Sequence, residues 1–400
     1  MSLSLCAIVK NEAANLSQCL QSVQGVVDQM VILDTGSTDD TVAIAQSFGA
    51  EVQHFSWNHS FADARNQAMK YVTGDWVLVL DADEALNPLI IPALKKAIEQ
   101  PQAIVINLIR QEIGAAQSPY SLVSRLFRRH PEVYFSRPYH AMVDDSVAAL
   151  LQREPQWQVI NLPEVAILHY GYEPGTIASR DKLQKARQTM EGFLANHPTD
   201  PYVCAKLGAL YGQMGNGDQE LALLLRGLQN AQDNPAVLYE LHYHLGIAYS
   251  RLNSRLQNPS LAESHYRAAL QQPILDRLKL GAHNNLGSLL LAQGKLQEAK
   301  ICFETVICFD PQIAIAHFNL GMTSKAMGQF LEAIEHYQQA IQLQPNYAEA
   351  YQNLGVVWLK LGRVGESLAA FRQAIDLHQQ HNPSEADRLR RGLQDMGFSI

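Results

Sequence analysis

Two carboxylates separated by one small residue, Asp81-Ala82-Asp83, with Glu84 behind them, follow directly on Trp76 to Leu80, a fully apolar run that reads as a buried strand. On an extended turn at a strand end, one such carboxylate can grip a divalent cation while the other reaches a neighbouring hydroxyl. Asp34, which opens Asp34-Thr35-Gly36-Ser37-Thr38-Asp39, ends another short apolar run, and Lys10, Asn11 and Glu12 end the first one, Leu3 to Val9. Polar and acidic groups therefore gather where strands stop, which is where open parallel sheets bind ligands. His169 closes the last apolar run of the first half, in Leu168-His169-Tyr170-Gly171-Tyr172.

The elements that must position these groups alternate. Strands are expected at Leu3 to Val9, Met30 to Leu33, Glu51 to Phe55 and Trp76 to Leu80, with helices to about Val23, from Asp39 to Phe48 behind a Thr38 cap, and from Phe61 to Tyr71. Strands alternating with helices imply a parallel sheet, an α/β architecture of nucleotide-binding type. The 400 residues carry a net charge of −8, and all of that excess lies in residues 1–176, with 11 Lys and Arg against 19 Asp and Glu. A nucleic-acid binder needs a basic face, so that class is excluded, whereas a cation site suits the balance. The 5 cysteines form no C-x-x-C pair and are expected to be reduced and mostly buried. No apolar run reaches the roughly 18 residues of a membrane span, and no leader pattern opens the chain, so the expectation is a cytoplasmic protein.

Beyond a boundary near Pro174-Gly175 the chain reads as helix after helix, and it repeats. Leu-Gly recurs at Leu207-Gly208, Leu245-Gly246, Leu286-Gly287, Leu320-Gly321 and Leu354-Gly355. Gly294, Gly328 and Gly362 keep the same step as Phe303, Tyr337 and Phe371, and Pro311 and Pro345 end successive units. This half resembles the tetratricopeptide repeat (TPR). The expected layout is a first domain over 1–176, a connecting helix over 177–200, about five repeats over 201–382, the second lengthened around Asn253 to Pro259, and a capping helix over 383–400. Stacked helical hairpins share one core and curl into a superhelix with a binding face. The periodic glycines and aromatics are expected to be packing residues, and the partner a protein or peptide.

Residues 3–86 resemble the inverting glycosyltransferases of family 2, which have the GT-A fold. The resemblance rests on the V-K-N-E turn at Val9 to Glu12, the D-T-G-S-T-D-D-T segment, Ala64-Arg65-Asn66 with Gly74-Asp75-Trp76, and L-D-A-D-E from Leu80 to Glu84. It implies transfer of a sugar from a nucleotide diphosphate sugar, with a metal ion bridging enzyme and diphosphate. By the same resemblance Asp34 would contact the base, and Val9, Lys10, Asn11 and Glu12 would line the nucleoside pocket. Asp81 and the Ala82 turn would approach the ribose, Asp83 would bind the metal, and Arg65 would lie near the diphosphate. Thr35 stands where many members have a second aspartate reading uracil, so uridine is a preference. On spacing alone, a helix arginine such as Arg65 is more often a solvated or salt-bridged surface group.

The stretch Ser124 to Phe127 with Tyr139-His140-Ala141 resembles relatives that carry an R-L-F element followed by His-Glu, whose glutamate is a candidate base. Here Ala141 takes the glutamate's place, and the role passes to Asp144, Asp145 or His140, the carboxylates and imidazole nearby. The bland alternative is that Asp144-Asp145 opens a turn. GT-A enzymes often take a further ligand from a late histidine, which makes His169 the second metal candidate; mixed Asp and His ligation would favour Mn2+ over Mg2+. Arg180, Lys182, Lys185 and Arg187 could offset diphosphate charge from the first long helix, or form a solvated face. The rival reading is a TPR scaffold whose first domain binds nucleotide without turnover. A nucleotidyltransferase would need a Gly-rich loop after the first strand, and Lys10-Asn11-Glu12 has none.

Overall fold

The computed structural model describes residues 1–115, 119–137, 139, 141–171, 180–256 and 259–398. Its first part is built on strands β1 (Leu3–Val9), β2 (Gln29–Asp34), β3 (Glu51–His54), β4 (Trp76–Val79), β5 (Glu84–Leu86), β6 (Ala103–Glu112), β7 (Tyr120–Arg128) and β8 (Gln158–His169). They form one sheet in the order β3-β2-β1-β4-β7-β6-β8-β5. The first four are parallel, as the alternation predicts. The rest is mixed: β7 runs antiparallel to β4 and β6, β8 runs parallel to β6, and β5 closes the edge antiparallel to β8. The parallel sheet expected of the first four strands is present, and the later strands make the whole sheet mixed, because only a short segment separates β6 from β7, which pair antiparallel.

Both faces of the sheet are covered. Leu3, Leu5, Ala7 and Val9 of β1 and Trp76 and Leu78 of β4 enter one core with the helices α1 (Leu16–Val23) and α4 (Ile91–Ile98). Cys6, Val77 and Val79 enter the other, with α3 (Phe61–Met69) and α5 (Asp144–Arg153). Successive strand residues alternate between these cores, which explains why the central strands are apolar throughout. Helix α1 buries Leu16, Cys19, Leu20 and Val23, a spacing of three and four that makes one stripe. Helix α2 (Thr41–Ser47) has Asp40 at its N-cap position, whose side chain makes no capping bond, and the Thr41 N–H goes to Asp39 Oδ1 at 3.1 Å, so the expected Thr38 cap is not formed. Thr38 instead gives its backbone N–H to Asn11 Oδ1 at 2.7 Å.

Contacts divide the chain into two compact units, Met1–Gln232 and Asp233–Ile400. The first also contains α6 (Arg180–Asn196), α7 (Pro201–Gln213) and α8 (Gly217–Asn230). The second holds the hairpins α9 (Pro235–Leu256) with α10 (Pro259–Leu270), α11 (Leu280–Ala292) with α12 (Leu296–Phe309), α13 (Ala314–Ala326) with α14 (Phe330–Leu343), and α15 (Ala348–Lys360) with α16 (Val364–His381). Helix α17 (Pro383–Asp395) follows. The repeat residues are packing residues, as the period implies. A Cβ on Gly287 would come 2.7 Å from the Phe303 ring, and one on Gly321 2.7 Å from the Tyr337 ring, so each hairpin closes by setting a ring on bare backbone. Gly294, Gly328 and Gly362 turn the chain between paired helices at φ of 74°, 77° and 75°, where a side chain would be strained. The Pro174-Gly175 boundary lies outside the described residues. No helix among the described residues is long and apolar enough to cross a membrane.

Candidate active site

The loops after β1 and β2 are laced into one surface. Asn11, in the left-handed region at φ 56°, donates its N–H to Ser37 Oγ at 2.9 Å, and Glu12 donates its own to Thr41 Oγ1 at 2.8 Å. Thr35 donates both its N–H and its hydroxyl to the carbonyl of Val9, which fixes the ends of the two strands together. The residue type that departs from the family pattern therefore has a bracing task here. Asp34 is buried; its carboxylate accepts the N–H groups of Gly36 and Ser37 and lies 3.3 Å from His54 Nδ1. Burial opposes its ionisation, yet those bonds hold its pKa below the ordinary carboxylate value. Val9 is buried and Lys10 exposed beside it.

Asp81 stands at the end of β4 between two arginines. Arg65 of α3 donates Nη2 to its Oδ1 at 2.7 Å, and Arg125 of β7 donates Nη2 to its Oδ2 at 2.8 Å. Arg65 is 6% exposed, so it is no solvated surface group. Burial and the nearby Arg125 charge lower its pKa to about 10, against the pull of Asp81. Its Nε and Nη1 are buried with no partner among the described residues. The neighbouring Asn66 exchanges two bonds with the backbone of Phe135, at 2.9 and 2.8 Å, and so holds a distant loop to α3. The Asp81-Ala82-Asp83 segment is a turn closed by the Glu84 N–H on the Asp81 carbonyl at 3.0 Å.

That turn carries the chain from the sheet centre to its far edge, and register does the rest. Glu84 of β5 and Glu112 of β6 both pair with His169 of β8, so the three stand in a row across three strands. Arg110 lies between the acids, its Nη1 2.9 Å from Glu84 Oε1 and its Nε 2.9 Å from Glu112 Oε1. Glu112 Oε2 holds His169 Nδ1 at 2.5 Å, which turns Nε2 toward Asp83 Oδ2 at 3.3 Å. Burial opposes protonation of His169, but the bonds to Asp83 and Glu112 raise its pKa to about 9. Burial likewise opposes ionisation of Glu112, and His169 and Arg110 bring its pKa down to about 2.

Asp83 and His169 fit a divalent cation. Their facing atoms are the right donor types, and Glu112 orients the imidazole from behind, the usual support of a ligating histidine. Gly171 leaves the approach open: a Cβ there would lie 2.6 Å from His169 Nε2 and 3.3 Å from Asp83 Oδ2. No group of three or more His, Cys, Asp or Glu suited to a metal occurs among the described residues.

Of the three base candidates, His140 lies outside the described residues. Asp145 is committed: Arg137 grips both its oxygens at 3.0 and 3.1 Å, and Ser136 Oγ donates to it. Asp144 accepts a bond from Ser124 Oγ at 2.9 Å. Its surface is open to solvent while protein crowds its other sides, and that crowding raises its pKa above the ordinary value. Both open the helix α5 in place of a simple turn. Ser124 and Arg125 reach this region together because of a β-bulge. The β6–β7 register shifts by one residue there, so Ser124 and Arg125 both stand opposite Asn107. Glu84, Ser124 and Arg125 lie in motifs quoted from the sequence but were assigned no site role there, and Arg110 and Glu112 were not singled out; charged residues inside otherwise apolar strand runs were the available signal. Of the basic run, the side chains of Arg180 and Lys182 are not described, and Arg187 pairs with Glu191 on its own helix at 3.6 Å.

The open sheet, its laced loops and the carboxylate–arginine cluster at the strand ends define a GT-A domain, followed by TPR helices. The profile described as "Glycosyl transferase family 2" matches residues 4–160, and tetratricopeptide repeat profiles match 280–313, 323–362 and 348–385. A TPR repeat-containing protein of Synechococcus elongatus is 45% identical over 293 residues, covering 73% of this chain and 72% of its own length. The SPbeta prophage-derived glycosyltransferase SunS of Bacillus subtilis is 28% identical over 201 residues, which are 48% of this chain and 45% of SunS. Among solved structures, the TPR protein YrrB aligns with a TM-score of 0.41 at 18% identity, covering 51% of this chain and 99% of YrrB. Residues 4–160 are a family 2 glycosyltransferase domain, and the chain is a fusion of that domain with TPR repeats. A glycosyltransferase is favoured over a repeat scaffold with an idle first domain.

Proposed function

We propose that this glycosyltransferase moves a sugar from a nucleoside diphosphate sugar, with UDP the preferred nucleotide, to an acceptor on a protein or peptide held by its TPR array, with inversion at the anomeric carbon. The observation that carries the donor half is a juxtaposition. Asp83 and His169 face each other at 3.3 Å, and Asp81, two residues before Asp83, is gripped by buried Arg65, whose Nε and Nη1 have no partner among the described residues. Mn2+ or Mg2+, when bound, supplies positive charge where a leaving diphosphate builds negative charge.

Each remaining role falls to the chain itself. Asp34 and the laced turn from Val9 to Glu12 hold the nucleoside, and Asp81, fixed by Arg65 and Arg125, holds the ribose. Arg65 donates to a phosphate oxygen through the two groups it does not give to Asp81. Asp144 takes the proton from the attacking nucleophile; its raised pKa suits a base better than the depressed pKa of Asp145, which Arg137 and Ser136 tie down. The support for a protein or peptide acceptor is the TPR array, whose architecture presents an extended concave surface. Asp83→Ala is expected to abolish release of nucleoside diphosphate from the donor sugar, followed by chromatography of the products. Full turnover by that variant in Mn2+ overturns the proposal, and release of nucleoside monophosphate would point to a different bond being broken.

A further inference from the structure

We propose that Arg137 is a positioning residue that makes the orientation of Asp144 depend on the seating of helices α6 and α7. Arg137 adopts φ 73°, the left-handed region that a long side chain rarely enters. Its backbone cannot relax out of it easily. On one side Asn66 clamps Phe135, and Ser136 exchanges two backbone bonds with Met142 at 2.9 and 3.2 Å. From that fixed point the guanidinium, 11% exposed, makes contacts in two directions. Nε and Nη2 grip Asp145 in the first turn of α5. Nη1 donates to Asp200 Oδ1 at 3.0 Å, the same oxygen that caps α7 through the Val203 N–H at 2.8 Å. The plane lies 4.9 Å from the Tyr202 ring of α7 and 5.9 Å from the Phe193 ring of α6.

A planar fork is the one side chain that can do all of this, because its donors point in fixed directions while its face stacks. The contacts then continue without a break. Asp145 adjoins Asp144, Asp144 accepts from Ser124, and Ser124 shares the β7 bulge with Arg125, which holds Asp81. Helices α6 and α7 are thus joined through Arg137 to Asp145, the covalent neighbour of the carboxylate proposed as the base. Only the statement that Asp144 takes a proton rests on the proposed function; the linkage itself does not.

The test uses the full chain and two variants. Asp200→Asn keeps a capping oxygen on α7 but removes the charge that holds Arg137, and Arg137→Ala removes the link outright. Hydrogen exchange of the first turn of α5 is expected to rise about tenfold in both variants, with α1 and β1 unchanged. Loosening of α7 alone, with α5 protected as in the wild type, overturns the proposal. Hydrolysis of UDP-glucose in Mn2+ supplies a readout that simple gluing of the helices would not move. In Arg137→Ala kcat falls about tenfold while KM for UDP-glucose stays within about twofold, and Arg137→Lys, which keeps the charge but not the fork, does not restore it. Equal loss in kcat/KM through KM alone, or full rescue by lysine, contradicts the assignment. A wild type that hydrolyses no UDP-glucose counts against the donor reading, and the exchange result then decides this proposal.

Discussion

Asp83 and His169 meet over bare backbone at Gly171, and the smallest substitution in the site tests that arrangement. Gly171→Ala would set a methyl group 2.6 Å from His169 Nε2. The expected outcome is loss of metal-dependent nucleotide binding by about 10-fold or more with an unchanged melting temperature, read by calorimetry and thermal unfolding. Asp144→Asn should lower kcat by about 10²–10⁴ and leave donor affinity intact. The sign of the pH effect follows from the raised pKa: the base works only when ionised, so the rate climbs with pH through a value above the ordinary aspartate figure of about 3.9. That limb should vanish in Asp144→Asn, as a pH–rate profile would show. At this scale the positions of Asp34, Asp81 and His169 at strand ends were legible because each follows an apolar run, with Asp83 two residues beyond Asp81. Arg65 was half legible: its identity stood out within the A-R-N motif, but its burial depended on Asp81 arriving from another strand.

Strand order, more than any single motif, builds the His169 side of the candidate site. Glu84, His169 and Glu112 are far apart in sequence and become neighbours only through the β5–β8–β6 register. Glu112→Gln keeps the shape but gives up the charge that orients His169, and metal affinity should fall about 10–100-fold, measured by Mn2+ titration in the presence of UDP. The antiparallel half of the sheet was hidden because β6 and β7 look like any other apolar runs, and a one-residue bulge leaves no mark in hydrophobic alternation. The helices of the second unit were legible for the opposite reason, since their period repeats what one hairpin needs. Gly321→Ala drives a methyl group to 2.7 Å from the Tyr337 ring, and overpacking of this kind costs about 1–3 kcal/mol, visible as a lowered unfolding midpoint.

For the whole molecule, a charged first domain and a neutral helical array were readable from composition and period alone, whereas the contacts place α6 to α8 with the sheet and start the second unit at Asp233. That division separates two tasks in the account. Removing residues 233–400 should leave UDP binding within about twofold of the full chain while transfer to the natural acceptor falls steeply, since a tethered acceptor is lost and the donor site is not. Equal loss of both would make the array a structural support. The central claim concerns the donor site, and one calorimetric titration addresses it directly: UDP into the full chain, with and without Mn2+, beside the Asp83→Ala variant. Binding that requires both Mn2+ and Asp83 is the predicted result; UDP binding that is indifferent to either, or absent under every condition, would contradict it.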